Sequence, residues 1–158
     1  MKRLLAILFS VLLASSLPAA QPNIVFILAD DMGYGDLGCY GHPEAKTPVI
    51  DRLAREGVRF TQHYANGPEC SPTRTAFLTG RYQQRAGGLE CAIGTGNVGR
   101  YDDAIRLAKE RQLGLPANQA VLPSALKKPG YASGVFGKWH LGYEPQFNPL
   151  EHGWDDFF

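Results

Sequence analysis

Apolar and polar positions change period several times along this chain, and each change predicts an element. Asn23 to Ala29 is a continuous apolar run after Pro22. Such a run predicts a strand buried on both faces, as in a parallel sheet. Between Thr47 and Gly57 the period becomes helical. Ile50, Leu53 and Ala54 make the apolar stripe, Thr47 caps, Pro48 is the first helical residue and Gly57 ends the turn. Val58 to Tyr64 alternates as a half-buried strand does, which makes His63 a packed strand residue. Ser71 is the expected N-cap and Pro72 the expected first residue of a helix that continues through Ala76, Phe77 and Leu78 to a stop at Gly80. Asp102 to Leu113 reads as a surface helix and Val121 to Lys128 as a short one stopped by Pro129-Gly130. Tyr131 to Gly137 reads as a further buried strand. Strands and helices taken in this order predict an α/β chain built as a layered sheet.

Candidate chemistry gathers at the ends of these elements. Cys70 stands just ahead of its helix, where unsatisfied N–H groups and the positive dipole end collect, and Arg74 lies one turn in. A nucleophile, a guanidinium and free donors converge there, a seat suited to a tetrahedral oxyanion. A buried structural cysteine before an ordinary helix is the plainer alternative. Asp30 and Asp31 follow the first predicted strand, where open α/β sheets place ligands. Adjacent carboxylates repel unless a cation or protons intervene, and hard oxygen donors suit Ca²⁺ or Mg²⁺. Both reach one site only if the strand has already bent, which Gly33, Gly35 and Gly38 permit. A solvated pair at the start of a loop is the other reading. Lys138 and His140 end the last strand and fall on one face if it persists, with Trp139 on the other. A Lys and a His so placed hold an anionic ester and deliver a proton to a leaving oxygen. The alternative is a snorkelling Lys beside a hydrogen-bonded His. Gly94-Thr95-Gly96 follows no apolar strand and opens no helix, so it is no nucleotide loop.

Composition narrows the class. With 158 residues, 44% hydrophobic and 20% charged, the chain is long enough for one domain with a core. A net charge of +1 gives no case for a nucleic-acid partner. Lys2 and Arg3, the apolar run Leu4 to Leu13, and Ser15 to Ala20 have the pattern of a secretory signal peptide, residues 1–20, with cleavage near Ala20. That run is too short to span a bilayer comfortably, so no stable membrane anchor is expected and export to a periplasmic or extracellular space is. Three cysteines are an odd count for such a chain. Cys39 and Cys91, in Gly-rich loops with no disulfide framework, read as thiols in preference to a pair, and both states stay open.

Cys70-Ser71-Pro72-Thr73-Arg74, followed by Thr75-Ala76-Phe77-Leu78-Thr79-Gly80, resembles the Cys-x-Pro-x-Arg signature of the sulfatase family, within the alkaline-phosphatase superfamily. Asp30-Asp31-Met32-Gly33-Tyr34-Gly35-Asp36-Leu37 is similar to that family's N-terminal metal motif, in which Asp36 is a loop-structuring residue. Gly137-Lys138-Trp139-His140-Leu141-Gly142 is similar to its second signature, and His152 to Phe158 to the loop after it. The resemblance implies an alkaline-phosphatase-like layered sheet with helices on both faces, residues 21–158 forming its N-terminal part. It implies sulfate-ester hydrolysis, with Cys70 oxidised to formylglycine by a maturation enzyme. The aldehyde's hydrate then attacks sulfur. Asp30, Asp31 and the modified Cys70 hold a divalent metal, usually Ca²⁺, with Mg²⁺ possible. Arg74, Lys138 and His140 contact the sulfate and assist the leaving oxygen of a sulfated small molecule or carbohydrate. In the family a second metal-ligand pair and a further His and Lys come from later segments. Half of a site is therefore expected here, with poor turnover by this chain alone. A phosphate- or phosphonate-ester hydrolase of the same superfamily, and a non-catalytic truncated product, are the alternatives.

Overall fold

The computed structural model describes residues 20–87, 89–94 and 102–158. The leader expected over residues 1–20 lies outside them apart from Ala20, as does most of the Gly-rich stretch after Gly94. The chain divides into two compact units, Met1–Tyr34 and Gly35–Phe158.

In the first unit the apolar run 23–29 forms no strand. Val25 is 84% and Ile27 83% exposed, which corrects the expectation of a strand buried on both faces. A β-rich composition is not enough. Such a strand exists only where neighbours pair with it and layers cover both sides. The chain then turns at Asp31, which is left-handed with φ 58°. Asp tolerates this conformation better than most residues.

In the second unit α1 spans Pro48–Glu56, as its start and stop signals predict. Thr47 does not cap it through its side chain. Its hydroxyl donates to Asp51 Oδ1 at 2.8 Å and accepts from the Gly38 N–H at 2.9 Å. The Cys39 N–H also reaches that carboxylate at 2.8 Å. The Thr47 hydroxyl, above all, holds the Asp51 carboxyl below its usual range. The stripe of α1 is uncovered, since Ile50 and Leu53 are exposed. Residues 58–64 form no strand, and Val58, Phe60, His63 and Tyr64 all face solvent. Alternation alone does not assemble a strand without a paired edge and a covered face.

Helix α2, Cys70–Thr79, begins earlier than its capping signals suggest. Glu69, in extended conformation, occupies the cap, so Ser71 and Pro72 lie inside the first turn. Proline is tolerated there because the first N–H groups have no intrahelical acceptor. Gly80 closes the helix as predicted, with φ 64° and its N–H on the Ala76 carbonyl at 2.9 Å. Helix α3, Asp102–Lys109, is shorter than expected. The chain leaves it through left-handed Arg111, and the Gln112 N–H closes back on the Leu107 carbonyl. Ala104 is fully buried, so α3 is not simply a surface element. Helix α4, Leu122–Lys127, follows.

The third predicted strand survives as two residues. β1, Gly134–Val135, pairs in parallel with β2, Asp156–Phe157, Gly134 opposite Asp156 and Val135 opposite Phe157. Among the described residues this is the only sheet, so helices layered on both faces of a broad sheet are not seen. Asp155 secures its entry, accepting from the Ser133 N–H at 2.8 Å and pairing with Lys127 at 3.2 Å. The Ser133 N–H and then Lys127 keep its carboxyl below the ordinary range. The core lies where α2, α3 and α4 meet the segments around Leu89, Ile93, Leu115 and Leu141. Leu89, Leu115 and Leu141 are fully buried, each contributing about 1.5–3 kcal/mol of transfer free energy.

Trp139 packs against this core and stacks on His152, ring centroids 5.7 Å apart. His152 is buried, and neither ring nitrogen has a hydrogen-bond partner. Burial pushes its pKa below the ordinary 6.5, with Glu151 opposing weakly. The imidazole is therefore neutral in the fold, and the unfolded chain binds the extra proton first. Stability is complete above about pH 6.5 and falls as pH drops from there through the folded value. The melting temperature is expected to decline over that window in wild type and to decline less in His152→Phe. Parallel profiles would remove His152 as the cause.

Candidate functional site

The site is built where α2 meets the segment after β1. Lys138 and His140 are not on a persisting strand, because β1 stops at Val135, Gly137 has φ 97° and His140 itself has φ 58°. The expected division of faces, which rested on a persisting strand, therefore does not apply. Lys138 reaches α2, whereas the Trp139 indole N–H donates to the Phe147 carbonyl at 2.8 Å on the core side.

Lys138 Nζ donates to Cys70 Sγ at 3.0 Å. One Arg74 guanidinium nitrogen donates to the Lys138 carbonyl at 2.5 Å, fixing the backbone that carries this lysine. Cys70, Arg74 and Lys138 are thus brought together at the N-terminal turn of α2. A cysteine, two cations and the first helical N–H groups lie together there, Lys138 being added to the Cys70 and Arg74 of the sequence reading. None of the three cysteines is in a disulfide.

His140 joins this group through a closed set of hydrogen bonds. Ser71 is fully buried, and its hydroxyl donates to the His140 carbonyl at 2.7 Å while accepting from the Ile93 N–H at 3.1 Å. His140 Nε2 meets the Ile93 carbonyl at 2.6 Å. A carbonyl only accepts, so Nε2 carries the proton and Nδ1 is the nitrogen able to accept one. Nδ1 is buried and has no hydrogen-bond partner. The Glu69 carboxylate accepts from the Ala92 N–H and anchors the same loop to the start of α2. Sequence reasoning assigned Ser71 to a cap and missed this role. Its residue type signalled only a hydroxyl near a helix start, and its partners lie 69 and 22 positions away.

Asp30 and Asp31 belong to the first unit. Both are exposed, and their carboxylate oxygens lie within 4.8 Å of each other. The bend that lets neighbouring side chains converge comes from Asp31 itself, in left-handed conformation, rather than from the glycines after it. Two convergent carboxylates are a donor set suited to a hard divalent cation. No helix of the described residues is long and apolar enough to cross a membrane.

A thiol-bearing helix end thus lies beside an arginine, a lysine and a histidine, tied together through backbone carbonyls. Residues 22–158 match the family model for sulfatases. The chain belongs to the sulfatase family. It is 44% identical over 156 residues to the N-acetylgalactosamine-6-sulfatase of Canis lupus familiaris, covering 99% of this chain and 28% of that protein. It is 45% identical over 162 residues to the steryl-sulfatase of Rattus norvegicus, covering 98% and 26%. The crystal structure of Ps i-CgsB superposes with a TM-score of 0.68 at 34% identity, over 83% of this chain and 26% of that one. A solved Bacteroides thetaiotaomicron chain, described within glycosaminoglycan metabolism as BT33336S-sulf, gives 0.70 at 36% identity, over 89% and 28%. The chain spans about a quarter of the length of these curated relatives.

Proposed function

We propose that this chain carries the nucleophile-bearing part of an exported sulfate-ester hydrolase. The observation that carries the reading is the contact of Lys138 Nζ with Cys70 Sγ, with Arg74 bound to the Lys138 carbonyl, inside a sulfatase-family sequence. Converted to formylglycine, Cys70 supplies a hydrated aldehyde as the nucleophile toward sulfur. Arg74 and Lys138 bind the sulfate oxygens and hold the negative charge that develops on them. His140, its Nε2–H held on the Ile93 carbonyl, is the residue assigned to assist the leaving alcohol oxygen. Asp30 and Asp31, a pair of hard oxygen donors, would hold the divalent metal, Ca²⁺ with Mg²⁺ as the alternative; such an ion would lower the pKa of an oxygen nucleophile and polarise the ester. The relatives' names point to sulfated sugars and sterols as substrate classes. Localisation outside the cytoplasm rests on the leader pattern alone.

The test is the state of Cys70. Coexpressed with a formylglycine-generating enzyme, the chain should yield a Cys70 peptide in which the thiol is replaced by an aldehyde that labels with a hydrazide. Arg74→Ala should prevent neither folding nor detection of that peptide, while weakening inorganic sulfate binding. A Cys70 that stays a thiol under these conditions, in a chain that does not bind sulfate, removes the proposal.

A further inference from the structure

We infer that the cleft beside Lys138 and His140 receives the alcohol half of the ester, and that the exposed ring of Tyr143 is the platform on which a pyranose stacks. This rests on the sulfatase reading and adds a specificity-determining residue to it. The cleft has a volume of about 660 Å³ and is lined by Lys138, Trp139, His140, Tyr143, Glu144 and Phe147 among others. That lies within the usual size of a small-molecule site and accommodates a ring or two. Two of its lining residues, Lys138 and His140, are those assigned to the sulfate and to the leaving oxygen, and Lys138 also reaches Cys70. An ester held there therefore has its alcohol portion in or against this cleft.

Tyr143 is 71% exposed yet held in place. Its hydroxyl donates to the Ile93 carbonyl at 3.3 Å, and its ring centroid is 6.2 Å from that of His140. At Gly94 a Cβ would meet the Tyr143 hydroxyl at 3.0 Å, so a glycine there leaves the ring its position. An open aromatic face, fixed at its far end beside the proton donor, loses little conformational freedom on binding. Glu144, the one acid on the wall, does not oppose an anionic ester. Arg111 forks onto its carboxylate at 2.9 and 2.5 Å and holds its pKa low, so the pair is neutral together. Lys138 then sets the charge of the cleft. A mixed lining of aromatic faces and polar groups, open to water, matches the apolar C–H face and hydroxyl rim of a sugar ring.

The experiment is an NMR titration of this chain with inorganic sulfate, methyl glucoside 6-sulfate, unsulfated methyl glucoside and 4-nitrophenyl sulfate. Wild type should bind the sugar sulfate about tenfold more tightly than inorganic sulfate, the gain expected of one good stacking contact. Tyr143→Ala should abolish that gain and leave inorganic sulfate binding unchanged. Tyr143→Phe should keep it. A gain that survives Tyr143→Ala overturns the assignment, as does an equal gain with the nitrophenyl ester. If inorganic sulfate fails to bind while methyl glucoside still shifts Tyr143 and Trp139, the cleft stands and the sulfatase reading falls. If no probe shifts these residues, the cleft assignment falls.

Discussion

Ser71→Ala should cost the second unit about 2–4 kcal/mol and disorganise the site, although the lost group is a single hydroxyl. That oxygen serves two buried partners, the His140 carbonyl and the Ile93 N–H, and has no exposure of its own. Removing it leaves a donor and an acceptor stranded, each at about 1–3 kcal/mol. Thr73→Ala is the internal comparison. Its hydroxyl donates to the Gly67 carbonyl at 2.9 Å in a partly exposed position, so about 1 kcal/mol is expected. Urea unfolding measures both. Amide exchange reads the local consequence, because the Ile93 N–H should lose protection in Ser71→Ala and keep it in Thr73→Ala. Inorganic sulfate affinity should fall with Ser71→Ala, since Lys138 is placed by the same stretch of backbone that Ser71 holds. A stability loss below about 1 kcal/mol with unchanged Ile93 exchange would mean that the three-way hydrogen-bond set does not organise this site.

That set shows where sequence reading reaches and where it stops. The ends of α1 and α2 were legible because their signals are local: Pro48 inside a first turn, Gly57 and Gly80 just past a last one. The gathering of Cys70, Arg74 and Lys138 was legible in part. Cys70 and Arg74 share one helical turn, and Lys138 was flagged by its place at a strand end. What Ser71 does was not legible. Its side chain is claimed by groups that no neighbouring residue reveals, and with its hydroxyl so engaged the cap passes back to Glu69. The strands failed for a related reason. Ile24 to Leu28 and Val58 to Tyr64 have strand composition, but a strand is a property of a pair of segments rather than of one. Where Gly134–Val135 meets Asp156–Phe157 a parallel ladder forms, and the other two apolar stretches stay exposed. The stripe on α1 likewise marks a helix correctly without showing what covers it.

Gly142→Ala should be the most damaging single-methyl addition near the site, lowering stability by roughly 3–5 kcal/mol from combined strain and overpacking. Gly142 has φ 127°, a conformation that glycine alone adopts readily. A Cβ there would also lie 2.5 Å from both Cβ and Cγ of Phe147. These atoms are not the free end of a flexible chain, so a rotamer change does not relieve the clash. Phe147 is boxed in from the other side as well. At Gly114 a Cβ would meet its ring at 2.5–2.6 Å, so the ring already lies against that backbone and has nowhere to retreat. Nor does the backbone yield cheaply. The Leu115 N–H binds the Leu141 carbonyl at 2.8 Å, and the Phe147 carbonyl holds the Trp139 indole. Displacement of Phe147 therefore passes through Trp139 to the residues on either side of it, Lys138 and His140. Thermal unfolding should show a drop of roughly 10–15 °C at the size of this unit. The double variant Gly142→Ala, Phe147→Leu should lose less than the sum of the two singles, because the smaller side chain removes part of the clash. Strict additivity would place the cost in the backbone conformation of Gly142 alone, and a drop of only a degree or two would show that this glycine-lined slot does not hold Phe147 rigidly.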